Sequence, residues 1–277
     1  MKTQKEKGEA FRVLHERGTA FIIPNPWDAG TARMLSHMGF EALATTSAGN
    51  AFSHGQKDGT MGREATLENA AAIVAAADVP VNGDLENGFG DSPEMAAETI
   101  RMAAEAGLVG GSIEDATGRA DAPIYRIEHA VERIQAAAEA AHALPFPFML
   151  TARAENYLHG REELKDTIYR LRVYQEAGDD VLYAPGLKTR EEIEAVISSV
   201  ERPVNVLMGM GDLQLSLKEL SEMGVRRVSV GGALCRLALG AFLGAAQEMK
   251  DRGRFGFAKR AAKTRKILEA MGLQRQE

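Results

Sequence analysis

The sequence predicts an α/β fold: a (β/α)8 TIM-type barrel with extra C-terminal helices. Three observations predict it. Eight short apolar runs recur along the 277 residues, and helical patterns fall between most of them. The runs are nearly continuously apolar, as strands covered on both faces must be. Three of them end in acidic clusters, at Asp84-Leu85-Glu86, Glu114-Asp115 and Arg153-Ala154-Glu155. In a barrel of parallel strands the C-terminal strand ends share one rim, so groups distant in sequence converge there. A doubly wound open sheet is the competing architecture.

The expected strands cover residues 20–24, 42–46, 79–84, 108–114, 148–153, 180–184, 204–208 and 227–230. A charged amphipathic helix at 2–17 precedes them, placed to cap the barrel bottom or to flank it. Helices follow at 65–77, 95–106, 127–141, 161–177, 189–198 and 216–223. Ser92-Pro93-Glu94 marks one helix start, with Pro at the first helical position. Gly107, Gly178 and Gly224 fall just past helix ends, where a left-handed residue is expected. The chain reads as a single barrel domain over 1–277, with 233–277 as a C-terminal helical extension. That extension divides into an apolar-faced helix at 233–250 and a basic helix at 255–271. The apolar stripe (Leu234, Leu237, Ala238, Ala241, Phe242, Ala245, Met249) is wider than a solvated tail carries, which favours a subunit interface.

Composition narrows the functional classes. Apolar residues make up 45%, enough for a large core. The net charge of −6 offers no basic face for nucleic acid or an anionic membrane. The single cysteine, Cys235, excludes an intrachain disulfide framework and a Cys-rich zinc site, and its apolar helix suggests a buried thiol. The N-terminus leads into no apolar signal segment, and the expected location is cytoplasmic. No lysine ends a strand in the manner of a Schiff-base enzyme; Lys188 sits in a loop. The Gly-rich ends of strands seven and eight have no basic residue beside them, which weakens a phosphate-site reading.

The chemistry concentrates in the strand-end acids. Asp84 and Glu86, two apart, share one face of an extended chain. With Glu114 they make three carboxylates around one volume, which repel unless a cation lies between them. Mg²⁺ suits them, because it takes oxygen ligands and retains waters; Mn²⁺ is the alternative ion. Arg153 can neutralise the acids or bind a substrate carboxylate through two N–H groups. Thr45-Thr46-Ser47-Ala48-Gly49-Asn50 is a small-residue stretch whose N–H groups and Ser47 hydroxyl can receive a carboxylate. Asp58 stands further along that loop. Trp27, the only tryptophan, can wall a pocket, and Asn205 lies on the seventh strand as a substrate-binding candidate.

These residues together resemble the isocitrate lyase/phosphoenolpyruvate mutase superfamily. The resemblance rests on Pro24-Asn25-Pro26-Trp27-Asp28, Thr46-Ser47-Ala48-Gly49, Asp84-Leu85-Glu86-Asn87-Gly88-Phe89-Gly90, Ile113-Glu114-Asp115 and Thr151-Ala152-Arg153. Their order and spacing match over roughly residues 10–250. The resemblance implies a (β/α)8 barrel that binds Mg²⁺ and a 2-oxo acid or enolate. It implies Asp84 as direct metal ligand, and Glu86 and Glu114 as holders of metal-bound water. Asp58 matches a further acid of the site. Ser47, Ala48 and Gly49 resemble the loop that binds a substrate carboxylate, and Arg153 the arginine that stabilises an enolate. It also implies terminal helices exchanged between subunits and a homotetramer.

The loop after Glu114-Asp115 departs from both well-understood branches. It reads Ala116-Thr117-Gly118-Arg119-Ala120-Asp121-Ala122-Pro123. It lacks the Cys, Lys and His of the isocitrate-cleaving branch, and the Lys and Asn of the phosphonate branch. The expected activity is therefore that of a Mg²⁺-dependent lyase acting on a small 2-oxo-dicarboxylate, by oxaloacetate-like decarboxylation or C–C cleavage. Decarboxylation needs no general acid in the bond-breaking step. The alternatives are a phosphonate mutase or hydrolase, and a non-catalytic 2-oxo-acid binder.

Overall fold

The computed structural model describes residues 1–273. Residues 274–277 of the expected C-terminal extension lie outside the described residues. The strands are β1 (Phe21–Ile23), β2 (Leu43–Ala44), β3 (Val81–Asp84), β4 (Gly110–Glu114), β5 (Met149–Arg153), β6 (Val181–Tyr183), β7 (Val204–Leu207) and β8 (Arg227–Ser229). They pair in parallel in the order β1-β8-β7-β6-β5-β4-β3-β2. The two strands at the ends of that order also meet. The Ala44 N–H donates to the Pro24 carbonyl at 3.1 Å, and Asn25 Nδ2 to the Thr45 carbonyl at 2.9 Å. The sheet is thus a nearly closed barrel, and the open-sheet alternative falls. Each expected strand is present, and every one is shorter than expected.

The helices are α1 (Gln4–Glu16), α2 (Ala29–His37), α3 (Ser47–Ser53), α4 (Arg63–Ala76), α5 (Pro93–Glu105), α6 (Ile127–His142), α7 (Leu164–Ala177), α8 (Arg190–Ile197), α9 (Leu217–Glu222), α10 (Ala233–Arg252) and α11 (Thr264–Ala270). Two of these, α2 and α3, were not expected. Helix α2 starts at an Asp28–Thr31 capping box, and α3 at a Thr46 cap that accepts the Gly49 N–H. The basic terminal helix expected at 255–271 is instead broken. Glu248 accepts the N–H groups of Gly256 and Phe257 and turns the chain, so a 3₁₀ turn (Gly256–Arg260) precedes α11. Gly107, Gly178 and Gly224 all take positive φ just past helices.

Helix α1 closes the barrel bottom. Its Phe11 and Leu14 pack with Phe21, Ile23, Ala42, Ala44, Met149 and Val181 in one buried cluster. The approach is tight: a Cβ on Gly8 would stand 2.4 Å from the Pro147 carbonyl oxygen. Helix α10 behaves oppositely. Only Cys235 of its 20 residues is buried, while Leu237, Phe242 and Leu243 are exposed. Among the described residues no helix is long and apolar enough to cross a membrane.

His15 is the polar member of the bottom plug. Its ring meets Phe11 and Phe21 edge-on at 4.7 and 5.1 Å, and Nδ1 lies 2.8 Å from the Phe11 carbonyl. Burial and the nearby Arg227 charge push its pKa down to about 3. The unfolded chain therefore binds a proton at His15 below about pH 6.5 that the folded chain refuses. Stability must fall as pH drops through that value. Between pH 7.5 and 5 this group should cost about 2 kcal/mol. Chemical denaturation of the parent and of His15→Gln at both pH values checks this: the variant should lack that share of the acid destabilisation. Equal pH slopes would refute it.

Candidate functional site

Strand register assembles the site. Glu114 pairs with Arg153 across β4 and β5, Arg153 with Tyr183 across β5 and β6, and Asp84 with Ser112 across β3 and β4. All five side chains line the rim or the cavity beneath it. That cavity, of about 280 Å³, is bounded by Ser47, Ala48, Asp58, Asp84, Arg153, Tyr183 and Asn205, among others. A wider recess of about 720 Å³ adjoins it and adds Glu86, Glu114, Glu155 and His159. Ser47, Asp58, Arg153 and Leu158 border both.

Arg153 sits at the centre. Its Nε donates to Glu155, and Nη1 lies 3.3 Å from Glu114 and 3.5 Å from Asp84. The Tyr183 ring lies beneath the guanidinium, 5.2 Å from centroid to Cζ. Burial works against its charge, but Glu155 and Glu114 outweigh burial and hold it protonated. Glu155 is placed in turn by Asp115, which accepts its backbone N–H at 2.8 Å. Asp115 is itself buried and bound by the Tyr174 hydroxyl (2.6 Å) and Arg170 (3.1 Å). Arg153 is therefore aimed through two layers of carboxylate.

Asp84 is fixed from both sides. Its N–H donates to Thr45 Oγ1 at 2.8 Å, and its Oδ2 accepts the Ser47 N–H at 2.9 Å. Its Oδ1 and the Oε1 of Glu86 are buried without a hydrogen-bond donor. Glu86 takes φ +48°, and Phe89 in the same loop φ +59°, conformations that cost non-glycine residues about 1–3 kcal/mol each. Buried Arg133 restrains this loop by donating to the carbonyls of Asn87, Gly90 and Asp91. Strain held in place this way marks a backbone bent to aim a side chain.

The electrostatics ask for a cation. Besides the exposed Glu64, five carboxylates (Asp58, Asp84, Glu86, Glu114, Glu155) line the two recesses, with Arg153 in their midst. Burial, Asp84 and Asp58 push the Glu86 pKa up to about 7, against the pull of Arg153. Burial likewise lifts Glu114 well above the ordinary carboxylate range. Two buried carboxylate oxygens without donors and two reluctant acids fit a divalent oxygen-liganded ion. Among the described residues no three acidic, histidine or cysteine groups stand close enough to wrap an ion directly. That suits Mg²⁺ held by one carboxylate and reached by others through water.

The expected site residues separate on this geometry. Arg153, Asp58, Glu114, Ser47, Ala48, Asn205, Asp84 and Glu86 line the two recesses. Trp27 and Gly49 do not. Gly49 packs so closely on Trp27 that a Cβ there would stand 2.7 Å from the Trp27 Cβ, so the pair seats α3 against the loop after β1. The Ser47 N–H is already taken by Asp84. Sequence reasoning missed Tyr183 and Arg227, and it placed Asp115 in an acidic cluster without giving it a role. Tyr183 was within reach, because its register beside Arg153 follows from strand ends alone; Arg227 depends on which face of β8 turns inward.

The loop after β4 folds back on itself. Ala116 and Ile124 form an antiparallel bridge, and Arg119 pairs with Asp91 at 2.6 Å. Only Ala116, Thr117 and Gly118 of this loop border the recess.

A phosphoenolpyruvate phosphomutase family model matches residues 11–250. The chain belongs to this family, within the isocitrate lyase/PEP mutase superfamily. It is similar to the solved structure of a putative lyase/mutase from Burkholderia cenocepacia J2315, at 63% identity and TM-score 0.93 over 96% of this chain and 95% of that one. It is 30% identical to the 2-methylisocitrate lyase of Halalkalibacterium halodurans, covering 73% of this chain and 68% of the relative. It also matches an oxaloacetate acetylhydrolase solved with its product oxalate, at 25% identity and TM-score 0.85 over 97% and 95% of the two chains. A phosphonopyruvate hydrolase solved with oxalate and Mg²⁺ shares the fold, at 23% identity and TM-score 0.84 over 96% of this chain and 95% of that one.

The charge arrangement yields a direct test. Asp84→Ala should abolish Mg²⁺ binding measured by titration calorimetry while the fold, followed by circular dichroism, persists. A variant that titrates like the parent would remove Asp84 from the metal site.

Proposed function

We propose that this chain is a Mg²⁺-dependent lyase acting on a small 2-oxo-dicarboxylate, with oxaloacetate-like decarboxylation or C–C cleavage as the reaction and Mn²⁺ as the alternative ion. The observation that carries this reading is Arg153, charged and fixed among Asp84, Glu114 and Glu155 at the head of a cavity sized for a small dicarboxylate. Asp84 would hold the ion directly, and Glu86 and Glu114 through water. When bound, Mg²⁺ would supply a Lewis acid to the 2-oxo end of the substrate.

The protein's own part is electrostatic and positional. Arg153 Nη2 makes no hydrogen bond to the described residues, so this edge of the guanidinium remains for substrate. As the C–C bond to the departing carboxylate breaks, its electron pair moves toward the 2-oxo oxygen, where the Arg153 charge stabilises it. Carbon dioxide leaves, and a proton from solvent completes the carbon. Ser47 and Ala48 would border the carboxylate next to the 2-oxo group, and Asp58 would help order water in the mouth. Ala116, Thr117 and Gly118, the residues of the loop after β4 that border the recess, provide no acid. That favours decarboxylation over reactions in which a side chain must protonate a leaving enolate.

A turnover screen of oxaloacetate, 2-methylisocitrate, 2,3-dimethylmalate and phosphonopyruvate tests the proposal. Oxaloacetate should be consumed, and removal of divalent ions should slow this by about a hundredfold or more, roughly 2.7 kcal/mol of barrier. Turnover of phosphonopyruvate alone would move the chain to the phosphonate chemistry. Calorimetric binding of 2-oxo acids without product would make it a binder.

The same reading includes a homo-oligomer, a tetramer, with the C-terminal helices against a neighbouring copy. It is supported by the exposed Leu237, Phe242 and Leu243, on a helix roughly 30 Å long that its own barrel leaves uncovered, and by the exposed Phe255 just beyond it. Light scattering at micromolar concentration should give a multiple of the 29.9 kDa chain mass. Truncation after residue 232 should yield monomers or aggregates. A monomeric intact protein would refute this.

A further inference from the structure

The barrel interior below the site is unusually polar. The inward layers of such barrels are ordinarily filled by branched apolar side chains. Here Asn82, Ser112, Thr151, Asn205 and Arg227 occupy them, all buried. Arg227 organises the layer. Its side chain leaves β8 and crosses the barrel to β5, where Nη2 donates to Thr151 Oγ1 at 2.9 Å. On the way Nε donates to Asn205 Oδ1 at 3.0 Å. Nη1 faces His15 Nε2 at 3.5 Å.

Every one of these partners is neutral. His15 Nδ1 faces a carbonyl, so it must carry the proton, and Nε2 is left as an acceptor toward Arg227. No carboxylate among the described residues comes within ion-pairing distance of Arg227. Burial pushes the guanidinium down to about 10, which still leaves it charged at neutral pH. A guanidinium has five N–H groups, and three partners leave two without a protein acceptor. A buried charge with no counter-charge costs several kcal/mol, and an apolar filling of the same volume would avoid that cost. Arg227 also lines the 280 Å³ cavity that has Asp84 and Arg153 at its mouth. The cavity therefore presents an unpaired cation at its floor and the acid-bound cation Arg153 at its rim.

We propose that Arg227 forms a second anion subsite, which receives the distal carboxylate of a substrate whose 2-oxo end lies at Asp84 and Arg153. It rests on the reading of the mouth given above. The neutral partners are what make it work: Asn205, Thr151 and His15 hold the fork in place without cancelling its charge. The incoming carboxylate supplies the missing counter-charge, so the floor selects dicarboxylates over monocarboxylates of the same length.

Three probes separate the two ends of the site in the presence of Mg²⁺: oxalate, which is long enough for the mouth only, 3,3-difluorooxaloacetate, and 2-oxobutyrate, its four-carbon monocarboxylate counterpart. The parent should bind difluorooxaloacetate at least about tenfold tighter than 2-oxobutyrate. Arg227→Gln should bring that ratio to within about twofold and leave oxalate affinity within about twofold of the parent. Asn205→Asp offers an isosteric second route should Arg227→Gln fail to fold. It sets a carboxylate against Nε, so it should abolish the preference while keeping or raising thermal stability, which a purely structural role for Arg227 would not do to the ratio. The proposal is overturned if oxalate binds and the parent shows no preference, or if the preference survives in either variant. If oxalate fails to bind but difluorooxaloacetate binds in an Arg227-dependent way, the reading of the mouth falls and the floor stands.

Discussion

The geometry of the mouth depends on one guanidinium. Arg153 is the cation among five clustered carboxylates, and it touches three of them. Each of those three comes from a different segment: Asp84 from the end of β3, Glu114 from the end of β4, Glu155 from just past β5. Without the positive charge, the parallel register that brings these strand ends together would set like charges side by side. With it, the strand ends can converge, yet one positive charge does not neutralise the cluster. Glu86 and Glu114 are both pushed toward their protonated forms, by burial first and by the neighbouring carboxylates after it. The site is built so that a single fixed charge aligns the acids and leaves room for another.

The same logic runs through the supporting shell. Asp115 is buried and has three partners, of which only Arg170 is charged; the others are a tyrosine hydroxyl and the backbone N–H of Glu155. Its yield is positional, because it fixes the residue that fixes Arg153. Arg133 does the equivalent for the strained Glu86 loop through three carbonyls. Fully satisfied buried polar groups of this kind rigidify what they touch. The mouth combines a rigid frame with a few buried oxygens left without donors, Asp84 Oδ1 and Glu86 Oε1 among them.

Much of this was legible in the chain. The eight strands stand out because a strand buried on both faces has to be apolar along its length. The acids stand out because they interrupt that rule at matching ends. What escaped notice has a physical pattern. Helix α3 opens with Ser47-Ala48-Gly49-Asn50, where Ser47, Gly49 and Asn50 are weak helix formers and only Ala48 is a strong one; the Thr46 cap and the packing of Gly49 on Trp27 fix it. The break before α11 comes from Glu248, whose carboxylate captures two backbone N–H groups eight and nine residues on. Arg227 is opaque for another reason. In Arg226-Arg227-Val228-Ser229 the alternation says that Arg227 and Ser229 share a face, but only the neighbouring strands decide that this face is the inside.

That inward arginine changes how the barrel should be understood. A packed apolar interior would make the cavity a shallow bowl whose selectivity lies entirely in mobile loops. A polar layer beneath the rim deepens it, and the neutrality of that layer matters more than its polarity. If Asn205 were an acid, Arg227 would be an ordinary buried ion pair with nothing left to offer a ligand. If His15 could charge, it would repel the guanidinium through the one contact that now accepts from it. Instead the aromatic packing of Phe11 and Phe21 keeps His15 neutral, so the plug that closes the barrel bottom also keeps the floor's charge unpaired. On the proposed role of Arg227, fold stability and substrate selection are coupled at one imidazole, in the plug that closes the barrel bottom.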